Sequence, residues 1–391
     1  MSVSHTAMDA VRNPAGQLDT GQVTALSALF ARVEDPRAAR GVRHPLAAVL
    51  TLLTLAVLCG AANFRQAADR VAELPQALLA AAGARRHRVL GVWLTPSRDT
   101  LRRLVEAIDA AAVDRLVCAF LLERVTGPTV HALALDGKTV RNSGGGAGGI
   151  NVQLFSAMRH DTAVVISQVR VPTDTTEVTQ IAALLDGVDL AGVVVTADAA
   201  HPSPATAGYI LGRGGHYVFT VKGNKPALLK AIAARLPTAW PEHLAYQDTE
   251  RRGGQTIVRQ VWIADAAGID FPGAAQVFRL RRDTYDAAGV RTSKYVVYGI
   301  TDLAQATGAQ LAGYVRGHWG IENKVHWVRD VLYREDHHHA YLGAVAHAMA
   351  VLRNLAIGLI RLAGYTRIKP VLERLHGNKM LIPALLNASQ P

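Results

Sequence analysis

Two apolar segments of the chain each run into an aspartate. HALALD reads as a strand closed by Asp136, and GVVVTAD as a buried strand closed by Asp198. Strand ends lie at the rim of a sheet, where loops build sites, and a carboxylate there can ligate Mg²⁺, a hard ion that takes oxygen donors. Aspartate also follows strands simply to start a turn, so each residue taken singly reads first as a turn residue. A third carboxylate lies in YVRGHWGIENKVHWVRDV, an expected helix. At about 100° per residue, His318, Glu322, His326 and Arg329 fall within about 80° of one another on one face. Trp319 and Trp327 flank them. Charged and imidazole groups on an otherwise apolar helix need partners. Three roles fit: a solvated face, a zinc site on His318, Glu322 and His326, or Glu322 as a third carboxylate ligand. Spacing alone leaves all three open.

Other motifs fail their own tests. LDGKT ends like a phosphate-binding loop, but GxxxxGK[ST] needs glycine where Ala132 stands. SGGGAGG lacks the strand-to-helix setting of a dinucleotide fingerprint and reads as a flexible hairpin loop. His337, His338 and His339, after Glu335 and Asp336, read as a surface loop. Cys59 and Cys118 form no CxxC pair, which excludes a zinc ribbon or disulfide framework and suits a reducing cytoplasm.

The elements that must position these residues can be read along the chain. Residues 1–20 are polar and small and are expected to be flexible; 21–127 show apolar residues at three- and four-residue spacing and predict a helical domain. Within it, Leu46 to Ala62 carries no charge, but its alanines, threonines and short length favour a buried helix over a membrane span. Residues 128–240 predict three strands, a helix, then alternating strand and helix: a sheet that starts antiparallel and continues parallel with helices on its faces. Residues 241–305 read as a mainly β insertion, and 306–391 return to helix. Lys plus Arg total 42 against 31 for Asp plus Glu, a formal charge of +11. That excess favours a polyanionic partner, because each cation set against a phosphate releases condensed counterions.

Three segments in order then become recognisable: ALDGKTVR, VVTADAAHPSPATAGYILGRGGHYVFTVKGNKPAL and GHWGIENKVHWVRDVLYRED. Together they resemble the ISAs-type family of insertion-sequence transposases and its H-repeat-associated relatives. DPRAARGVRHPLAAVLTL resembles that family's associated helical domain. The resemblance covers about residues 30–365. It implies an α/β, RNase H-like catalytic core with an N-terminal helical domain and a mainly β insertion. It also implies a catalytic, metal-binding triad on Asp136, Asp198 and Glu322, with two Mg²⁺ (or Mn²⁺) ions as cofactor. The implied partners are the terminal inverted repeats and target DNA, met by a homodimer on DNA, cytoplasmic and without a membrane. The wider group's Tyr, Arg and Lys positions on the last helix fall on Val315, His318 and Arg329. Expected DNA contacts are Lys138, Arg141, Lys222, Asn224, Lys225, Arg316, His318, Lys324, His326 and Arg329, while His201 is expected to approach the site. TDTTEV at 173–178 departs from the family's basic run but keeps Glu177. A non-catalytic DNA-binding remnant and a zinc hydrolase are the competing readings.

Overall fold

The computed structural model describes residues 19–40, 42–125, 131–145, 149–237, 243–338 and 342–390. Most of the expected flexible N-terminus, the boundaries at 127/128 and 240/241, the middle of SGGGAGG, and His339 lie outside the described residues. The chain opens with α1 (Gly21–Phe30), α2 (Leu46–Leu58), α3 (Phe64–Ala72) and α4 (Gln76–Ala81). A two-residue ribbon, β1 (Arg85–Arg86) with β2 (Trp93–Leu94), precedes α5 (Arg98–Ala107) and α6 (Ala110–Arg124). Side-chain caps set several starts: Asn63 accepts from Gln66 N, Ser97 from Thr100 N, and Asp109 from the amides of Ala111 and Ala112. α2 is apolar on every side and, accordingly, buried along nearly its whole length.

The second part contains β3 (Ala132–Val140), β4 (Val152–Arg159), β5 (Val165–Val171), a 3₁₀ turn at Glu177–Gln180, α7 (Ile181–Leu185), β6 (Val194–Ala197), α8 (Pro204–Gly212), β7 (His216–Val221) and α9 (Pro226–Arg235). Then come β8 (Tyr246–Arg252), β9 (Gln255–Asp265), β10 (Gln276–Tyr285) and β11 (Arg291–Thr301), followed by α10 (Gly308–Ile321), α11 (Val345–Leu362), α12 (Ile368–Gly377) and α13 (Ile382–Ala388). One nine-stranded sheet runs β5-β4-β3-β6-β7-β11-β10-β9-β8. β3, β4 and β5 pair antiparallel, while β3, β6 and β7 are parallel. The mixed order expected for this stretch is therefore present.

The mainly β segment adds its strands to this same sheet. β11 joins β7 antiparallel, from Tyr298↔Val221 to Thr301↔Val218. Gly299 sits under the Phe278 ring, where a Cβ would come within 2.1 Å of ring carbon Cζ. The aromatic fills the space that the glycine leaves across the strand pair.

Alternation along β3 and β4 sorts side chains to two faces. On one face Ala134 and Met158 pack with Ile321 and Val325, and Val140, Val152 and Leu154 pack with Ala346 and Ala350 of α11. On the other, Phe155 stacks on His201. α11 is long and apolar enough to cross a membrane by length and composition, yet 89% of it is buried inside the molecule. It is the post against which the N-terminal helices dock. His347 Nε2 lies 2.6 Å from Asp114 Oδ2 on α6, and Gln168 on β5 donates to the same oxygen at 2.9 Å. Gln168 Oε1 accepts in turn from Ser156 and Asn354. Every member is buried, so these hydrogen bonds are what makes the polar cluster tolerable there.

Candidate active site

The parallel pairing of β3 with β6 runs to Leu135↔Ala197. Asp136 and Asp198 are the next residue on each strand, so they emerge side by side on neighbouring strands roughly 4.8 Å apart. Asp136 does not end its strand. β3 continues to Val140, and Asp136 is paired with Ser156 on β4. The correction has a simple cause: the residues after Asp-Gly keep a partner strand on the β4 side, while β6 stops and leaves the other edge open. Asp198 does end its strand, and it fills its turn role too. Its Oδ1 accepts from Ala200 N at 2.8 Å.

Glu322 arrives from above. α10 starts at a capping box between Thr307 and Gln310. Its Trp319 packs edge-on against Tyr295 of β11 and under the Arg282 guanidinium of β10, which ties the helix to the sheet. At Glu322 the helix widens into two π-helical stretches, Glu322–His326 and Val328–Leu332. An i→i+5 turn holds more residues than an α turn, so seven residues no longer return to the same side. The expected single stripe is therefore split. His326 stays beside Glu322, while Arg329 turns inward, fully buried, and pairs with Glu335.

His326 Nδ1 lies 3.2 Å from Glu322 Oε2 and 3.3 Å from Asp136 Oδ2. Burial works against its charge, but the hydrogen bonds to the two carboxylates outweigh it and raise its pKa. The same hydrogen bond lowers the Glu322 carboxyl, against burial and helped by Lys138. Burial would raise Asp198, but the Ala200 amide, Lys222, His201 and His318 together lower it. His318 is lowered by burial, partly offset by Asp136 and Asp198. One ligand atom each from Asp136, Glu322 and His326 lie within 4.8 Å of one another. Two oxygens and an imidazole nitrogen form a donor set that Mn²⁺ accepts readily and Mg²⁺ accepts through its oxygens. His318 is not in this group, since its Nδ1 is 3.3 Å from Thr196 Oγ1. The zinc trio His318, Glu322 and His326 is thus not assembled.

Comparison with known proteins decides the family. The family described as "Transposase DDE domain" matches residues 131–359, and the one described as "DDE_Tnp_1-associated" matches 27–121. The chain belongs to the transposase DDE domain family. Its relatives in Escherichia coli (strain K12) include the protein YbfL, 29% identical over 346 residues that cover 84% of this chain and 88% of YbfL. The H repeat-associated protein YhhI of the same strain is 28% identical with the same coverage of both chains. A solved piggyBac transposase synaptic complex with hairpin DNA aligns at TM-score 0.42 and 11% identity, covering 94% of this chain and 78% of that one. As in other members of the transposase DDE domain family, the core is RNase H-like: the β5-β4-β3-β6-β7 order, flanked by helices.

Around this DDE-family core, the expected DNA contacts divide into two groups. Lys138 is buried, with Nζ 2.6 Å from Asp330 and 3.7 Å from Asp336. Lys138, His318, His326 and Arg329, expected among the DNA contacts, are all buried and engaged within the protein. Arg141, Lys222, Arg316 and Lys324 are exposed. Lys222 Nζ stands 3.5 Å from Asp198 Oδ2. Asn224 spends its amide on Ala199 O at 2.6 Å, bracing the loop after Asp198, and Lys225 begins α9. His201 does approach, with Nδ1 3.8 Å from Asp198 Oδ1.

One residue given no role on sequence grounds lies against the site. Glu177 Oε2 is 2.6 Å from His201 Nε2, and its other oxygen meets Gln153 and crowds the Gly137 backbone. The signal available for it was the glycine of LDGK, a position that must stay empty for a carboxylate from another segment.

Proposed function

We propose that this chain is an insertion-sequence transposase that holds Mg²⁺ or Mn²⁺ at Asp136, Asp198 and Glu322 and uses them to cut DNA at its element's ends and join the ends to target DNA. The observation that carries this reading is the side-by-side exit of Asp136 and Asp198 from parallel β3 and β6, with Glu322 brought to Asp136 across His326. Bound there, divalent ions supply the Lewis acidity that lowers the cost of forming a nucleophile and stabilises the leaving oxygen at a phosphodiester. The chain's own part is to keep Glu322 and Asp198 ionised and to hold the three carboxylates rigidly in one rim. The hydrogen bonds and cations around Glu322 and Asp198 do the first. Paired strands and the packed π-helical segment do the second.

The formal charge of +11 and the exposed Arg141, Lys222, Arg316 and Lys324 supply the attraction for a polyanion. Transposition requires two ends to be held together, so a homodimer on DNA, acting in the cytoplasm, completes the proposal. The zinc-hydrolase alternative is disfavoured because Thr196 engages His318. The remnant alternative is disfavoured because all three carboxylates are present. The test is a cleavage assay on the DNA flanking the protein's own gene, with Mg²⁺ or with chelator. Nicks at the element's ends that need the metal support the proposal; metal-independent cutting, or none, counts against it.

A further inference from the structure

We propose that His201 is a metal ligand on the Asp198 side of the site, with Glu177 fixing the tautomer that ligation needs. This rests on the reading of Asp198 as a metal-binding carboxylate. His201 follows Asp198 by three residues, is 1% exposed, and lies stacked on Phe155 at 5.0 Å between centroids and 9° between planes. Its ring plane is therefore set by packing.

Its two nitrogens have different surroundings. Nε2 is 2.6 Å from Glu177 Oε2. An ionised carboxylate only accepts, so Nε2 carries the hydrogen, and in the neutral ring Nδ1 is left with a bare lone pair. That atom is buried and has no hydrogen-bond partner. It faces Asp198 Oδ1 across 3.8 Å. Two electron-rich atoms opposed at this distance call for something electropositive between them. With metal–ligand distances of about 2.1 Å, two donors 3.8 Å apart are both within reach of a single ion. A histidine that binds metal through one nitrogen characteristically gives its other N–H to a carboxylate, which orients the ring and raises its basicity.

Glu177 is placed for that task at a cost elsewhere in the sequence. A Cβ on residue 137 would lie 1.6 Å from Glu177 Oε1, so the carboxylate fits only because Gly137 has no side chain. Gln153 Nε2 donates to the same Oε1 at 2.5 Å and holds it there. Glu177 thereby meets the segment bearing Asp136 at Gly137 and the segment bearing Asp198 through the His201 imidazole.

The experiment uses the full-length protein with Mn²⁺ as a spin probe and reads directly bound imidazole nitrogen by pulsed electron paramagnetic resonance. Wild type should show histidine nitrogen coupling. With His326→Ala removing the site's other imidazole, the coupling should remain, and adding His201→Ala should abolish it and weaken Mn²⁺ binding at least tenfold further. In that background His201→Asn, which sets an amide oxygen near the Nδ1 position and covers the case in which His201→Ala fails to fold, should bind Mn²⁺ more tightly than His201→Ala, without the coupling. Glu177→Gln should keep the coupling and weaken Mn²⁺ binding by roughly tenfold, the lower end expected for losing such a partner. Wild type without nitrogen coupling overturns the assignment. So does coupling that survives in His201→Ala or His201→Asn and disappears in His326→Ala. Coupling unchanged in Asp198→Asn counts against both this ligand and the triad. Coupling that tracks His201, in a protein that cuts no DNA, supports the ligand and counts against the transposase reading alone.

Discussion

Glu335 offers the sharpest test of how the glutamate-bearing segment is anchored. Its Oε2 lies 2.7 Å from Arg329 Nη2 and its Oε1 2.7 Å from Arg353 Nη1, with all three residues at most 4% exposed. Arg353 also donates to Ala62 O at 2.9 Å, so one carboxylate joins the π-helical segment, α11 and the N-terminal helices. Burial alone would raise the Glu335 carboxyl, but the two guanidinium groups outweigh it and bring it from 4.5 down to about 2. A displacement of that size corresponds to about 3 kcal/mol of folding stability. Glu335→Gln keeps the shape, removes the charge and strands two buried cations, a class of change that costs about 3–5 kcal/mol. Replacing all three residues by Met, Leu and Met should cost far less, because no charge is then left buried. Urea unfolding followed by circular dichroism measures both. The sign with pH is fixed as well. A lowered carboxyl contributes fully above its unfolded pKa near 4.5 and loses that contribution as pH falls through about 2, so the gap between wild type and Glu335→Gln should narrow on acidification. A loss below about 1 kcal/mol at pH 7, or a gap that does not narrow, would mean that Glu335 does not anchor the segment through its charge.

Other perturbations follow from the same geometry. Asp114→Ala leaves His347 and Gln168 without their shared acceptor in a buried cluster and should cost about 2–4 kcal/mol in urea unfolding. Gly299→Ala drives a Cβ into the Phe278 ring and should cost about 1–3 kcal/mol, with faster hydrogen exchange in β10 and β11. Burial, with His318 and Lys324 nearby, pushes His160 from 6.5 down to about 4. The unfolded ring takes up its proton near 6.5 while the folded one resists until about 4, so stability should fall as pH drops through that window. His160→Gln should flatten this limb in urea midpoints taken between those pH values; an unchanged limb would assign the acid sensitivity elsewhere.

Much of the core could be read in advance because its signals are local. Short apolar runs, alternation, and turn residues spaced around HALALD, INVQLFSAMRH, TAVVISQVRVP and GVVVTAD are enough to order the first strands. What stayed hidden depends on distant partners. Asp-Gly after HALALD looks like a stop, but pairing with β4 carries the strand onward. The strands of residues 241–305 look self-contained, and only the β11–β7 register joins them to the main sheet. A helical wheel assumes a uniform turn, so it cannot foresee π-helical widening that leaves His326 with Glu322 and rotates Arg329 into the core. Nothing around Lys138 in the sequence foretells that Asp330 and Asp336, nearly two hundred residues on, hold its ammonium. Glu177 had a place in a motif and no role, because its partner His201 and the space over Gly137 come from other segments.

The triad is tested by cleavage and binding measured on the same DNA, flanking the protein's own gene, for Asp136→Asn, Asp198→Asn and Glu322→Gln. All three changes keep side-chain shape and remove one negative charge. Each should reduce Mg²⁺-dependent cutting by about a thousandfold or more while DNA affinity stays within a few-fold of wild type, since the lost group acts on the reacting phosphate and not on the flanking backbone. Cutting at near wild-type rates in any of the three variants would contradict the assignment of these carboxylates.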